Sequence, residues 1–229
     1  MDWQAIGLSI RLAAATTAIL LLVGAPIAYW LAFSRRPWKF LVEAVVAMPL
    51  VLPPSVLGFY LLIAMGPHSP FGVAYASITG GLLPFSFAGL LVASVLYSLP
   101  FTVQPLAAAF GAVDRRLIEA SWCLGVSRVA TFRRVIVPLA RAGIAAGAVL
   151  SFAHTMGEFG VVLMVGGNIA GVTRTASISI YDQVQALDYD SAWRTSLALL
   201  AFSFVALAVT YALQRGALGA RRWSLWQAN

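Results

Sequence analysis

The stretch that decides the fold lies near the middle of the chain and reads EASWCLGVSRVATFRRVIVP, from Glu119 to Pro138. It carries one glutamate, three arginines and a cysteine, whereas long apolar segments lie on both sides of it. Charged side chains are costly within the hydrocarbon of a bilayer. We therefore expect this stretch to lie outside the membrane, as a connection between two membrane spans.

The composition of the whole chain supports a membrane protein. Of its 229 residues, 61% are apolar and only 10% are charged, compared with about 25% charged residues in soluble domains. We expect an all-α integral membrane protein with a single transmembrane domain over residues 1–229. The start of the chain carries no cationic leader of a signal peptide, so the first apolar segment is expected to stay in the mature protein.

Five segments are long and apolar enough to cross a bilayer, which takes about 20 residues in a helix. They are residues 12–33, 40–65, 85–110, 139–165 and 196–213. The second and third contain prolines, which remove a backbone donor and are expected to kink or break these helices: Pro49, Pro53, Pro54, Pro100 and Pro105. Whether a short interfacial helix precedes residue 12 stays open at this point.

The basic residues predict the orientation. With the Glu119 stretch in the cytoplasm, twelve of the fifteen Lys and Arg residues lie inside, including Arg221 and Arg222, and only Arg11, Arg174 and Arg194 lie outside. The opposite orientation reverses these numbers, and the positive-inside rule disfavours it. We expect the N-terminus outside and the C-terminus inside. Because the basic residues flank apolar spans, the charge does not indicate nucleic-acid binding.

Two connections then lie outside, at residues 66–84 and 166–193. The first is rich in Gly, Pro and Ser, and the second carries Asp182, Asp188 and Asp190. The first is interpreted as a loop that includes one short helix, and the second as a solvated loop or as a docking surface for an external partner.

The sequence lacks the common motifs of nucleotide-binding, metal-binding and hydrolytic sites. A P-loop requires a lysine after a glycine-rich loop, yet the only lysine is Lys39, within PWKF. The sequence also has no zinc-ligand spacing and no nucleophile elbow. We expect neither an enzyme active site nor a metal or cofactor in this chain.

His154 and Glu158 are the main ionisable pair within a span. Their i, i+4 spacing places them on one face of a helix, and ionisable groups in spans are functional candidates. As a proton relay they indicate an ion-coupled secondary transporter. As a structural bond or a feature of the outer mouth they do not, and we favour this interpretation because one pair is a weak basis for coupling. A membrane scaffold without transport activity is a further alternative.

The polar stretch itself predicts a short helix. Residues 114–124 alternate charged and apolar side chains, and Gly125 suits the left-handed position that follows many helices. Farther along, Gly143 and Gly147 form a G-x-x-x-G pattern, which is typical of close contact between membrane helices.

The spacing of Glu119, Ala120, Ser121, Gly125 and Pro138 resembles the signature of ABC importer permease subunits: E-A-A, three residues, G, nine residues, then I-x-L-P. Ser121 replaces the second Ala, and valines replace Ile and Leu. The resemblance implies that residues 114–138 form a coupling-helix loop whose helix inserts into a groove of an ATPase subunit.

Longer stretches resemble the permease subunits of molybdate importers and of their sulfate and tungstate relatives. They are MPLVLPPSVLGFYLL (Met48–Leu62), GPHSPFG (Gly66–Gly72), SFAHTMGEFG (Ser151–Gly160) and GGNIAGVTRT (Gly166–Thr175). The resemblance implies the type I ABC importer permease fold, as a homodimer in the lipid of a bacterial cytoplasmic (inner) membrane. It also implies two ATPase subunits that use ATP and Mg²⁺, and an extracytoplasmic oxyanion-binding protein. Molybdate is expected, with sulfate and tungstate as alternatives.

Polar side chains within or beside the spans are candidates for the transport pathway or its outer mouth: Ser55, Thr102, Ser151, His154, Thr155 and Glu158. The alternative for the hydroxyls is a bond to a backbone carbonyl or to a neighbouring helix, which is common for Ser and Thr in membranes.

Overall fold

The computed structural model describes the backbone of residues 1–226 and the side chains of residues 1–213 and 215. Arg221 and Arg222, which we counted on the cytoplasmic side, lie outside the described side chains. All regular structure within residues 1–226 is helical, which confirms the all-α fold class. The helices are α1 Trp3–Phe33, α2 Lys39–Val51, α3 Pro54–Ala64, α4 Pro70–Thr79, α5 Phe87–Gly111, α6 Arg115–Cys123, α7 Arg128–Thr131, a π-helical turn Phe132–Ile136, α8 Val137–Gly157, α9 Gly160–Gly166, α10 Ala176–Gln185 and α11 Tyr189–Trp226.

The core of the bundle is formed by α1, α5 and α8. Glycines allow these helices to approach closely. A Cβ atom built on Gly143 would lie 2.3 Å from the Cβ atom of Ala109, and one built on Gly147 would lie 2.7 Å from a methyl group of Leu106. The G-x-x-x-G pattern of α8 is therefore the face that packs against α5.

Among the described residues, four helical segments are long and apolar enough to cross a membrane, namely Trp3–Phe33, Phe87–Gly111, Arg128–Gly157 and Tyr189–Leu213. The pair α2 and α3 adds a fifth span if it is counted as one, although the two helices meet at an angle of 111°. The break falls at Leu52 and Pro53, where the backbone is extended. Pro100 and Pro105, by contrast, lie within an uninterrupted α5.

The helix ends differ from the expected spans in three places. Helix α1 begins at Trp3, because Asp2 caps it by accepting a hydrogen bond from the N–H of Ala5 at 2.9 Å, so no separate interfacial helix precedes residue 12. The fourth segment is interrupted after Gly157, where the backbone of Glu158 is extended. Helix α11 begins at Tyr189, ahead of residue 196. The membrane boundaries themselves stay predictions.

The bundle has two ends, which we call the α6 end and the α4 end. The α6 end holds α6, α7 and the connection between α1 and α2. The α4 end holds α4, α10 and the start of α1. There, Ser9 accepts a hydrogen bond from the N–H of Ala176 at 2.8 Å, and Ser179 donates one to Asp2 at 3.1 Å. These bonds fix α10 against the first helix.

Candidate functional site

Helix α6 is a short exposed helix that begins and ends as the sequence predicts. Asp114 caps its start by accepting a hydrogen bond from the N–H of Arg116 at 2.9 Å. The helix ends before Gly125, which has a φ of 76°. In this left-handed conformation any other residue is strained. Glu119 and Ala120 both lie on the exposed side.

Two side chains hold α6 against the bundle. Ile118 is buried in the cluster that includes Phe110 and Ile136. Ser121 is buried as well; it donates to the carbonyl oxygen of Ile118 and shares a hydrogen bond of 2.8 Å with the hydroxyl of Thr131. Ser121, which departs from the signature by replacing an alanine, therefore ties α6 to α7. No local pattern in the sequence indicates Thr131 as the partner of Ser121.

The opposite side of α6 presents apolar side chains that the described residues leave uncovered. Leu117, Trp122, Leu124 and Val129 are all exposed, and the guanidinium of Arg128 lies 5.8 Å from the ring centre of Trp122. Exposed apolar side chains grouped in this way are typical of a protein contact surface. We call this group, together with Glu119 and Ala120, the α6 surface.

Pro138 lies at the point where the chain enters the bundle from the α6 surface. It occupies the first turn of α8, directly after the π-helical turn. The missing N–H of proline is tolerated at this position. Phe132, in the same π-helical turn, packs against Tyr29 and Phe110 at ring distances of 5.3 and 5.7 Å. Packed side chains therefore connect α6 to α1, α5 and α8.

A ladder of buried polar side chains joins α5 to α8. Ser94 donates to Glu158 at 2.9 Å, Ser98 and Thr155 share a hydrogen bond of 3.0 Å, and Thr102 and Ser151 share the third. All six side chains are buried. We call these three bonds the hydroxyl ladder.

The hydroxyl ladder places three of the pathway candidates, Thr102, Ser151 and Thr155, between two helices. Their hydroxyls bond to a neighbouring helix, which is the alternative that the sequence left open. Sequence reasoning missed Ser94 and Ser98, although residues spaced by four recur on one face of a helix and Ser94, Ser98 and Thr102 have this spacing.

His154 and Glu158 share no hydrogen bond or ion pair in the described part of the chain. The ring of His154 stacks on Phe101 at 3.9 Å and lies 5.0 Å from Tyr97, and its Nε2 atom is buried without a partner. Glu158 is 4% exposed. Its Oε2 atom accepts from Ser94, while Oε1 is also buried without a partner.

Both groups line a cavity of about 490 Å³ that we call the hinge cavity. Its lining consists of Pro54, Tyr97, Ala153, His154, Gly157, Glu158, Phe159 and Gly160. The breaks in two spans meet here, since a Cβ atom on Gly160 would lie 2.6 Å from the Cβ atom of Pro54. Ser55 is exposed at the start of α3 and does not line the cavity.

A second cavity, of about 500 Å³, lies between α1, α2 and α5 toward the α6 end. We call it the lysine cavity; its lining is Leu31, Ala32, Lys39, Glu43, Val46, Ala47, Gln104, Ala107 and Gly111. The Nζ atom of Lys39 lies 3.2 Å from Oε1 of Glu43. Sequence reasoning used Lys39 only as a charge that fixes orientation and missed Glu43 and Gln104 altogether.

The α4 end carries charged and apolar groups of its own. Arg174 donates to Asn168 at 2.6 Å and pairs with Asp182 at 3.3 Å. Hydrogen bonds from the side chain and the backbone N–H of Ser191 lower the pKa of Asp188, so this exposed carboxylate stays ionised. Exposed apolar side chains on α4, such as Phe71 and Ile78, lie at the same end.

Comparison with known proteins agrees with this architecture. A family model described as "Binding-protein-dependent transport system inner membrane component" matches residues 24–221. The molybdenum transport system permease protein ModB of Azotobacter vinelandii is 52% identical over 93% of this chain and 95% of its own length. ModB of Escherichia coli (strain K12) is 33% identical over 93% and 94%.

Solved structures share the fold at low sequence identity. A bacterial ABC transporter involved in the import of the acidic polysaccharide alginate matches with a TM-score of 0.71 at 15% identity, covering 93% of this chain and 78% of that chain. The MetNI methionine ABC transporter, in an inward facing conformation, matches with a TM-score of 0.67 at 16% identity, covering 93% and 96%. The fold is therefore that of type I ABC importer permeases.

Proposed function

The chain belongs to the family of binding-protein-dependent transport system inner membrane components, and we propose that it is the permease subunit of an ATP-driven importer of molybdate. The molybdenum permeases that resemble it over nearly their whole length support this substrate. Sulfate and tungstate are the alternatives that the same sequence stretches leave open, and competition during uptake separates them.

The α6 surface is the single observation that carries the proposal. It is a preformed helix outside the bundle, with Glu119 and Ala120 exposed beside apolar side chains. A helix of this kind fits a groove on a separate ATPase subunit, which Glu119 and Ala120 contact directly. The other coupling residues, Ser121, Gly125 and Pro138, position the helix on the bundle. The ATPase subunit supplies the ATP and Mg²⁺ chemistry, so this chain itself is no enzyme.

The complete assembly that we propose has two copies of this chain, two ATPase subunits on the cytoplasmic side and an oxyanion-binding protein outside. Twofold symmetry then places the pathway along the dimer axis. The α6 end lies in the cytoplasm, with the N-terminus outside, because most of the basic residues cluster at that end. The acidic and apolar groups at the α4 end form the surface that meets the binding protein.

Transport follows from alternating access. Closure of the two ATPase subunits moves α6, and the packing of Ile118 and Phe132 transmits this movement to the core helices. The pathway opens outward toward the loaded binding protein and returns inward after hydrolysis. An ion-coupled mechanism through His154 and Glu158 receives no support, since within the described residues the two side chains share no hydrogen bond or ion pair.

The test is Glu119→Lys, which reverses the charge at the centre of the α6 surface without altering the buried residues. We expect the variant to insert into the membrane normally, to lose the co-purifying ATPase subunit and to lose molybdate uptake, measured as cellular molybdenum. Asp190→Lys makes the same charge change on the exposed start of α11 at the opposite end and is expected to keep the ATPase subunit bound. Normal assembly and uptake in Glu119→Lys would show that the α6 surface is not the contact with the ATPase subunit.

A further inference from the structure

The lysine cavity contains polar groups that a lipid-facing surface does not explain. Gln104 lies within the apolar helix α5, yet its side chain is exposed and makes no hydrogen bond with the described residues. A polar side chain turned toward hydrocarbon is costly, so such residues usually face a water-filled space or another subunit. Lys39 and Glu43 open into the same cavity from α2.

The hydrogen-bond donors of this cavity are available to a ligand. Lys39 and Glu43 are one helical turn apart, and their side chains are 32% and 51% exposed. Exposed pairs with this spacing contribute little to stability, so a dianion can displace the carboxylate of Glu43 from the ammonium group. The amide of Gln104 supplies two further donors.

The walls of the cavity are apolar and are built partly from small residues, such as Ala32, Ala47 and Ala107. Ligand sites commonly combine walls of this type with a few polar groups that point inward. A tetrahedral oxyanion is much smaller than the cavity of about 500 Å³, so water shares the space and binding is weak. Weak binding suits a site that must release its ligand.

Resting on the proposed function, we propose that the lysine cavity is an oxyanion-binding vestibule at the cytoplasmic end of the pathway, with Lys39 and Gln104 as its donors. A tetrahedral dianion replaces Glu43 as the partner of Lys39 and accepts a hydrogen bond from Gln104. Glu43 then competes for Lys39 and promotes release into the cytoplasm. The phosphate of an anionic lipid shares this chemistry, and the experiment separates the two sources.

Lys39 offers a direct test because it is the only lysine of the chain. In the purified complex with its ATPase subunits, an amine-acylating reagent modifies Lys39 and the N-terminal amine, and mass spectrometry measures both rates. A site with a Kd of about 1 mM is about nine-tenths occupied at roughly 10 mM ligand, so sodium molybdate is expected to slow acylation of Lys39 about tenfold. Sodium chloride at equal ionic strength serves as the control, and the N-terminal amine as the internal reference.

Three variants locate the site. Gln104→Leu is expected to weaken protection of Lys39 by molybdate, and Glu43→Gln to strengthen it because the competing carboxylate is removed. Gln185→Leu removes an exposed amide near the α4 end and is expected to leave protection unchanged. Equal protection in all three variants would overturn the role of Gln104 and Glu43.

Two preparations of the complex and a transport measurement distinguish failure of the binding site from failure of the proposed function. The complex is prepared once in detergent without added lipid and once in nanodiscs of anionic lipid. Protection by anionic lipid alone, with no further effect of molybdate, assigns the cavity to a headgroup and overturns the proposal. If the same preparation imports molybdate but Lys39 is acylated equally with and without molybdate, the proposed binding site is wrong and the proposed import function is unaffected. If no oxyanion is imported, the proposed function itself fails.

Discussion

Two cavities of nearly equal volume lie along helix α5 and differ in the polar groups that they present. The hinge cavity, about 490 Å³, is lined by Tyr97 and presents the buried carboxyl group of Glu158. The lysine cavity, about 500 Å³, is lined by Gln104 and presents Lys39. A dianion finds the ammonium group of Lys39 and the amide of Gln104 as hydrogen-bond donors in the lysine cavity, although Glu43 competes for Lys39 there. The hinge cavity presents a buried carboxyl group instead, so the same helix offers contrasting environments toward its two ends.

The cavities also differ in how firmly their polar groups are held. Glu158 is fixed by Ser94 at the last rung of the hydroxyl ladder, where two broken helices meet. Among the described residues, Lys39 pairs only with Glu43, and this pair is exposed. Bonded, buried groups preserve a helix arrangement, whereas loosely held, exposed groups exchange partners. We therefore assign ligand contact to the lysine cavity and helix positioning to the hinge cavity.

Among changes at the two cavities, the largest effect is expected from Lys39→Glu, which replaces the cationic donor of the lysine cavity by a second carboxylate. Molybdate uptake is expected to fall by more than about tenfold, which corresponds to at least about 1.4 kcal/mol, because two carboxylates then face the oxyanion. Arg35→Glu makes the same charge change shortly before Lys39 but outside the cavity lining, and it is expected to have a smaller effect. Uptake is compared in variants whose ATPase subunit still co-purifies. Equal loss in both variants would assign the effect to overall charge rather than to the cavity.

A smaller effect, on stability, is expected from Gly143→Ala, which tests the close packing of α8 against α5. The added methyl group meets Ala109 at 2.3 Å, and overpacking of this kind typically costs about 1–3 kcal/mol. Thermal unfolding of the purified protein in detergent is expected to shift to lower temperature. Gly7→Ala is the matched control, because a Cβ atom on Gly7 meets nothing within 4 Å, and alanine is the better helix former. A midpoint that does not fall in Gly143→Ala would contradict the close α5 to α8 contact.

The sequence predicted the features that depend on local pattern. Helix α6, its end at Gly125 and the close packing at Gly143 each follow from residue types at a short spacing, and the all-α fold follows from composition. The break of the second span was expected at its prolines, but Pro100 and Pro105 leave α5 continuous. Proline alone does not decide whether neighbouring helices permit a break.

The lysine cavity and the hydroxyl ladder could not be predicted from local pattern. Gln104 and Lys39 are far apart in the chain and meet only because α2 packs on α5. Ser94 and Glu158 are separated by 64 positions. The spacing of Ser94, Ser98 and Thr102 marks one face of α5, but the facing residues depend on the register between α5 and α8, which glycine packing sets.

The smallest effect on transport is expected from Glu158→Gln, which replaces the carboxyl group in the hinge cavity by an amide of nearly the same shape. The glutamine side-chain oxygen still accepts a hydrogen bond from Ser94, so the last rung of the ladder remains and ATP-driven uptake stays at least partly active. Glu158→Leu, which has no acceptor, leaves Ser94 without a partner and is expected to lower the unfolding temperature more than Glu158→Gln does. Molybdate uptake and thermal unfolding are measured on the same preparations. Complete loss of uptake in Glu158→Gln with normal assembly would show that the carboxyl group acts in transport, and the division of roles between the two cavities would then be wrong.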